Sequence, residues 1–467
     1  MNLRGQYEQN FSGFKIRNQT RILTAPPRRK KDRYHKTEIP YLTSTFPCEI
    51  HSRIFSERFF PVLVAEAESV WFKYLETVNR KVMSRKMRMG MVGGGRGAFI
   101  GGVHRIAAAI DGEIELVCGA FSSSPEKSKA SGADLYVPES RAYGSYQEMI
   151  ETEKSLPEGE RMDFVSIVTP NHMHVPPAIM ALEAGFPVIC DKPVAFSLKE
   201  AKQLKEVVDR TGLPFALTHN YTGYPMVKQA RHMIATGEIG KVRKVVVEYP
   251  QGWLSSFVEA SGQKQASWRT DPTKSGAAGS MGDIGTHAEN LAEYMTGLKI
   301  TELCADITVF VEGRKLDDDG NVLLRFDNGA KGVLHCSQIS NGEENDLNIR
   351  VYGETGGLSW RQMEPNTLVY RNQETGMKIY RTGVGDLCES AQAHTRIPAG
   401  HPEGYLEAFA NIYRNFANTV RKTIAGDPPS EIDLDFPTID DGVRGMAFIE
   451  SVVASSASDQ KWYPFTT

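Results

Sequence analysis

Gly93-Gly94-Gly95-Arg96-Gly97-Ala98 lies between a short apolar run, 88–93, and a stretch whose helical spacing puts Ile100, Val103, Ala107 and Ile110 on one face. A G-x-G-x-x-A order constrains a fold strongly when it joins a strand to a helix. Gly93 permits the tight turn, and Gly95 lets the backbone approach a pyrophosphate. Ala98 allows close packing of helix on sheet, with the helix N-terminus facing the anion. Outside that context a glycine cluster is only a turn.

The context continues downstream. Apolar runs at 114–120, 164–169 and 187–190 alternate with helical stretches, the last of which opens on a capping box with Ser197 at the N-cap and Glu200 three residues on. Alternating strand and helix predicts a parallel sheet with helices on both faces. After about residue 213 the rhythm changes. Strands are expected at 242–249, 301–311, 321–326, 330–337 and 347–352, with few helices between them. Asp327-Asn328-Gly329 reads as a hairpin turn. A late helix over 401–425 carries Tyr405, Phe409, Ile412 and Phe416 as its apolar stripe. The expected fold class is α/β, with a dinucleotide-binding domain over 87–213 and an α+β domain over 214–467.

The chain has 467 residues, enough for two or three domains, and its 54 Lys+Arg against 57 Asp+Glu leave a net charge of −3. That balance argues against a nucleic-acid or anionic membrane partner. Residues 1–86 differ, with 17 basic residues against 8 acidic ones. They include the run APPRRKKDRYHK and an amphipathic stretch over 60–83 with Val64, Ala67, Trp71 and Leu75 at helical spacing. This extension is expected to be a solvated tail or to lie outside the native protein, with Met83 or Met87 as the alternative first residue. Six cysteines without C-x-x-C spacing read as reduced thiols. No secretory h-region or run of about 18 apolar residues is seen, so a cytoplasmic location is expected.

Three further features bear on chemistry. At the end of the second apolar run no carboxylate stands ready for a ribose 2′-hydroxyl; Ser122, Ser123 and Lys127 occupy the region, which leaves NAD or NADP open. Cys190-Asp191-Lys192-Pro193 falls at the carboxyl end of a strand, where Lys192 can polarise a reacting C–O bond. In Gly282-Asp283-Ile284-Gly285-Thr286-His287, Asp283 and His287 are four apart and share a helical face, as a proton acceptor and the carboxylate that orients it. No dense set of further ligands accompanies the pair, so no metal is expected. The three together point to hydride transfer from an alcohol between two domains.

In that order the motifs resemble the glucose–fructose oxidoreductase, inositol dehydrogenase and rhizopine-catabolism dehydrogenase family, from Met87 to about Tyr463. MGMVGGGRGAFIG resembles its phosphate loop, Thr169-Pro170-Asn171 with His174 its T-P-N-x-x-H loop, and Asp191-Lys192-Pro193 its E-K-P motif. SGAAGSMGDIGTHAENL resembles its D-x-G-x-H-x-x-D segment. Asp191 stands where the family has Glu, and Asn290 where it often has a second Asp. The resemblance implies an N-terminal Rossmann domain and a C-terminal domain on a large open, mostly antiparallel sheet that mediates homodimers or homotetramers. It implies Lys192 as catalytic lysine, His287 as acid/base and Asp283 as its partner or a substrate ligand. Gly93, Gly95, Arg96, Gly97, Ala98, Phe99 and Ile100 would hold the cofactor with Ser122, Ser123, Lys127, Thr169, Pro170, Asn171, His174, Asp191 and Lys192. Asn220, Tyr221, Trp268 and His401 join Asp283 and His287 as candidate substrate contacts. The implied activity is NAD(P)-dependent oxidation of a secondary hydroxyl of a sugar, glycoside or cyclic polyol. The alternatives are a redox-neutral, NAD-dependent glycosidase or a non-enzymatic sensor on the same fold.

Overall fold

The apolar runs after Met87 lie side by side in the computed structural model, which describes residues 85–467. The expected tail, apart from Arg85 and Lys86, the 60–83 helix and the alternative start at Met83 lie outside the described residues, while the other alternative start, Met87, is the first residue of the first strand. Arg85 already belongs to the fold, since its guanidinium grips Asp163 at 2.6 and 2.7 Å.

Strands β1 (Met87–Gly93), β2 (Ile114–Ala120), β3 (Phe164–Val168), β4 (Val188–Cys190) and β5 (Phe215–Leu217) form a parallel sheet in the order β2-β1-β3-β4-β5. Every residue of β3, β4 and β5 is buried, as expected for strands covered on both faces. The covering helices are α1 (Phe99–Ala109), α2 (Pro125–Asp134), α3 (Tyr146–Ser155), α4 (Val175–Glu183) and α5 (Leu198–Thr211). Strand order reverses at the boundary between β1 and β3, which opens a crevice beyond their carboxyl ends. Two local expectations shift. Ile110 falls past the end of α1 and is 38% exposed. Ser197 does cap α5 by accepting from Glu200 N, but the Glu200 carboxylate accepts from Phe196 N rather than Ser197 N.

The second sheet contains β6 (Lys244–Pro250), β7 (Ile300–Thr308), β8 (Asp319–Phe326), β9 (Lys331–Ser337), β10 (Asn348–Tyr352), β11 (Gly356–Arg361), β12 (Thr367–Asn372), β13 (Gly376–Arg381) and β14 (Tyr463–Pro464). Its order is β13-β12-β11-β10-β6-β9-β8-β7-β14, antiparallel except where β6 meets β9. The Asp327-Asn328-Gly329 turn joins β8 to β9. The described residues also include α6 (Pro225–Ala235), the short α7 (Lys264–Arg269) and α8 (Pro272–Ser275), α9 (Thr286–Thr296), α10 (Glu389–Ala393), α11 (Tyr405–Ala425) and α12 (Ile439–Ser456). Helix α12 packs on β7 and α5, and α9 packs beside α6 and α12. The opposite face carries a lateral row of Leu323, Val333, Val246, Arg350, Ser359, Val369 and Ile379, set by the strand register.

Helix α11 starts at Tyr405, four residues later than expected, and belongs structurally to the first sheet. Phe409, Ile412, Tyr413 and Phe416 share a core with Met89, Val103 and Phe164. The Tyr413 hydroxyl contacts His104 Nδ1 and Ser166 Oγ, both at 2.7 Å. No helix among the described residues is long and apolar enough to cross a membrane.

Candidate active site

A cleft of about 1390 Å³ opens at the carboxyl ends of β1, β3, β4 and β5. Gly93, Gly95, Arg96, Ala98, Phe99 and Ile100 line it from the glycine loop. Ser122, Ser123 and Lys127 line it beyond β2, and Thr169, Pro170 and Asn171 beyond β3. Asp191 and Lys192 follow from β4, and Thr218, Asn220 and Tyr221 from β5. The α7–α8 segment closes the far side with Trp268, Arg269 and Lys274.

Two of the expected cofactor contacts lie elsewhere. Gly97 does not line the cleft; its carbonyl accepts from Lys264 Nζ at 3.2 Å. His174 is wholly buried, with its ring nitrogens 2.8 and 2.7 Å from the Thr169 and Pro193 carbonyls. It ties the loop after β3 to the loop after β4. Asp191 reaches the cleft, but its Oδ1 accepts from Thr218 Oγ1 and Lys192 N, both at 2.9 Å, with His104 Nε2 at 3.7 Å. Burial opposes ionisation of Asp191, yet His104 and Lys192 hold its carboxyl well below the ordinary range.

Lys192 reaches across to the segment before α9. Its Nζ donates to Asp283 Oδ1 and to the Asp283 carbonyl, each at 2.7 Å. Asp283 Oδ2 accepts from Gln338 Nε2 at 3.0 Å and faces Arg269 Nε at 3.3 Å. Burial alone would raise the Asp283 carboxyl; the Lys192 and Arg269 charges reverse that and hold it at about 2. Asp283 is thus the partner of Lys192 instead of orienting His287. Residues Met281–Gly285 form one wide turn ahead of α9, and tertiary cations capture the carboxylate that helical spacing assigned to the histidine.

His287 lines the cleft and is 7% exposed. Its Nδ1 lies 3.4 Å from His219 Nδ1, and Tyr221 stands edge-on at 4.8 Å between ring centroids. Burial, with Lys192 and His219 nearby, lowers the His287 pKa well below the ordinary 6.5. Around it Tyr221, Tyr249 and Asn345 form a closed hydroxyl and amide network. Asn220 Nδ2 is buried without a partner among the described residues. Trp268 is in the cleft under the Arg269 guanidinium, 4.3 Å from its ring. His401 is not in the cleft. Arg396 anchors its loop to Asp111 at 2.6 and 2.7 Å, and the exposed His401 ring meets only the nearby Pro398 carbonyl. His219, Tyr249, Arg269, Gln338 and Asn345 were missed, because isolated polar residues on separate elements leave no local signal.

The description "Oxidoreductase family, NAD-binding Rossmann fold" matches residues 87–219, and the GFO/IDH/MocA C-terminal domain matches 227–359. The chain belongs to the GFO/IDH/MocA oxidoreductase family. The uncharacterized oxidoreductase YfiI of Bacillus subtilis is 35% identical, over 82% of this chain and 98% of its own. An oxidoreductase structure from Sinorhizobium meliloti is 46% identical with TM-score 0.74, covering 81% of this chain and 99% of that one. An inositol dehydrogenase homolog from Azotobacter vinelandii, complexed with NADH and myo-inositol, is 34% identical with TM-score 0.75, over 82% and 98%.

The protein is therefore an NAD(P)-dependent oxidoreductase of this family, with an N-terminal Rossmann sheet and a mostly antiparallel C-terminal sheet. Its glycine loop fits the dinucleotide on geometric grounds. No side chain caps the start of α1, so its first amides remain available to a phosphate. Gly93 has φ +87, a conformation that favours glycine. A Cβ on Gly101 would lie 2.3 Å from Gly94 Cα. Close approach of helix α1 and the glycine loop therefore depends on Gly101, a position the sequence reading had not singled out.

Proposed function

We propose that this GFO/IDH/MocA oxidoreductase oxidises a secondary hydroxyl of a cyclic polyol or sugar. The observation that carries this reading is the Lys192 ammonium, fixed on Asp283 beside His287, in one cleft with the glycine loop. Bound NAD supplies the hydride acceptor. Lys192 donates to the substrate oxygen and stabilises it as the carbonyl develops. His287, neutral because it is buried, takes the hydroxyl proton. Asp283 fixes the ammonium.

The lining suits a neutral, hydroxyl-rich ring. Asn220, whose Nδ2 has no partner among the described residues, offers a donor, and Trp268 and Trp253 offer flat apolar faces. The myo-inositol complex of the A. vinelandii homolog supports the same substrate class. The test is a panel of cyclitols, aldoses and glucosides given with NAD or NADP, read by the near-ultraviolet absorbance of the reduced nicotinamide. Turnover with one ring class supports the proposal. Aglycone release without reduced cofactor would replace it with redox-neutral glycoside cleavage.

The partly exposed apolar residues of that row on the second sheet, Leu323, Val333 and Val246 on one side of Arg350 and Ser359 and Val369 and Ile379 on the other, support self-association there, into a dimer or tetramer. Leu323→Lys, on that face, should lower the mass seen by light scattering. Buried free thiols at Cys118, Cys190 and Cys336 suit a reducing compartment such as the cytoplasm.

A further inference from the structure

The proposed reaction needs a base, and a histidine base needs its second ring nitrogen placed. Asp283 does not do this, because Lys192, Gln338 and Arg269 occupy its carboxylate. The tyrosine hydroxyls nearby are also occupied, since Tyr221 and Tyr249 bond to each other and to Asn345. His219 does meet that nitrogen. The two Nδ1 atoms are 3.4 Å apart, the ring centroids 5.2 Å apart, and the planes nearly perpendicular at 84°. His219 is 2% exposed, and its backbone is fixed by donation to the Leu217 carbonyl and acceptance from Thr222 N and Oγ1.

Two neutral imidazoles that face each other through Nδ1 must differ, one carrying the proton and the other the lone pair. If His219 were the donor, His287 would carry its own proton on Nε2 and would be unable to accept another from substrate. The reverse arrangement leaves Nε2 bare toward the cleft. We propose that His219 is a positioning residue that holds His287 in the Nδ1–H form, with Nε2 free to take the substrate proton. This rests on the dehydrogenase reading above. In the step, the substrate O–H bond breaks and the proton bonds to His287 Nε2. The Nδ1–H remains donated to His219; the C–H bond on the carbon that bears this oxygen breaks as C=O forms, its hydride leaving to the acceptor that bound NAD would supply. The other titratable groups around the pair are Lys192, Asp191, Asp283, Tyr221 and Tyr249. Burial, with the Lys192 charge nearby, disfavours a second proton on either ring, which keeps the pair neutral at rest.

The test uses the NAD-loaded full chain with ring-labelled histidine, and nitrogen NMR reads which nitrogen of His287 carries the proton. The wild type should show His287 as Nδ1–H. His219→Leu should shift it to Nε2–H and lower kcat for polyol oxidation by roughly 10²-fold, the scale of general-base catalysis, with KM and NAD affinity retained. His219→Gln, whose amide oxygen can accept from Nδ1–H, should restore most of kcat and should fold if the leucine variant does not. An Nε2–H form of His287 in the wild type, or full kcat in the folded leucine variant, would overturn the inference. Wild-type inactivity across the polyol panel would sink the functional reading, while the NMR result would still decide the histidine pair.

Discussion

Lys192 Nζ donates to both the carboxylate and the backbone carbonyl of Asp283, 91 residues away, each at 2.7 Å. Lys192→Ala should lower kcat by about 10²–10³-fold, the scale seen when a donor to a developing oxyanion is removed, with NAD binding retained. Both partners are largely buried, so Asp283→Asn should be destabilising on its own. A double-mutant cycle of Lys192→Met and Asp283→Asn should show coupling of about 0.5–3 kcal/mol by denaturant unfolding. Additive single effects would contradict the pairing.

The pH profile follows from His287. Its pKa is lowered from 6.5, so the base form is already present at neutrality. Oxidation should stay flat through pH 7 and fall only at pH values well below 6.5, as His287 gains its proton. Removing the Lys192 charge in Lys192→Met should raise the His287 pKa, which a titration followed by NMR would detect. A downward move would be inconsistent with that charge acting on the ring.

Stability should also fall in acid. Burial pushes His219 and His394 down to about 3, against 6.5 in the unfolded chain. Between those values the unfolded state binds more protons than the folded one, so stability rises with pH and is lost as pH drops below 6.5. Each histidine contributes up to about 1.4 kcal/mol per pH unit within that window. Scanning calorimetry from pH 7 to pH 5 should show a falling Tm, and His394→Gln should flatten the slope.

Adjacent glycines in α1 provide a contrast. Gly101→Ala would put a Cβ 2.3 Å from Gly94 Cα, forcing helix and phosphate loop apart. It should cost about 1–3 kcal/mol and weaken NAD binding measured by calorimetric titration. Gly102→Ala meets nothing within 4 Å and should be neutral or stabilise by about 0.5–1 kcal/mol. Equal effects at the two positions would refute the close-approach argument.

These contrasts show what the sequence made legible. The glycine loop and Lys192 were readable because each sits at a strand end, where local turn chemistry and topology fix position, whereas Thr169-Pro170-Asn171 was singled out by the family resemblance alone. The role of Asp283 was misread because helical spacing describes one element, whereas its carboxylate is claimed by Lys192 and Arg269 from outside that element. His219 gave no signal, since its meaning depends on a histidine 68 residues away. His401 was a candidate through the family resemblance, but Arg396 anchors its loop to Asp111 and the ring does not line the cleft. Strands β11 to β13 escaped because their alternation is weak, and every residue of β13 is at least partly exposed.

The path of α11 has a consequence for how the molecule is made. Phe409, Ile412, Tyr413 and Phe416 fill the core over β1 and β3, and Tyr413 bridges His104 and Ser166. The nucleotide-binding half is therefore not a separable module. A nascent chain that has emerged through β5 still presents an open apolar face, which is sealed only when synthesis has passed residue 416. A fragment ending near residue 219 should stay aggregation-prone however complete its sheet, and adding α11 as a separate peptide should rescue it.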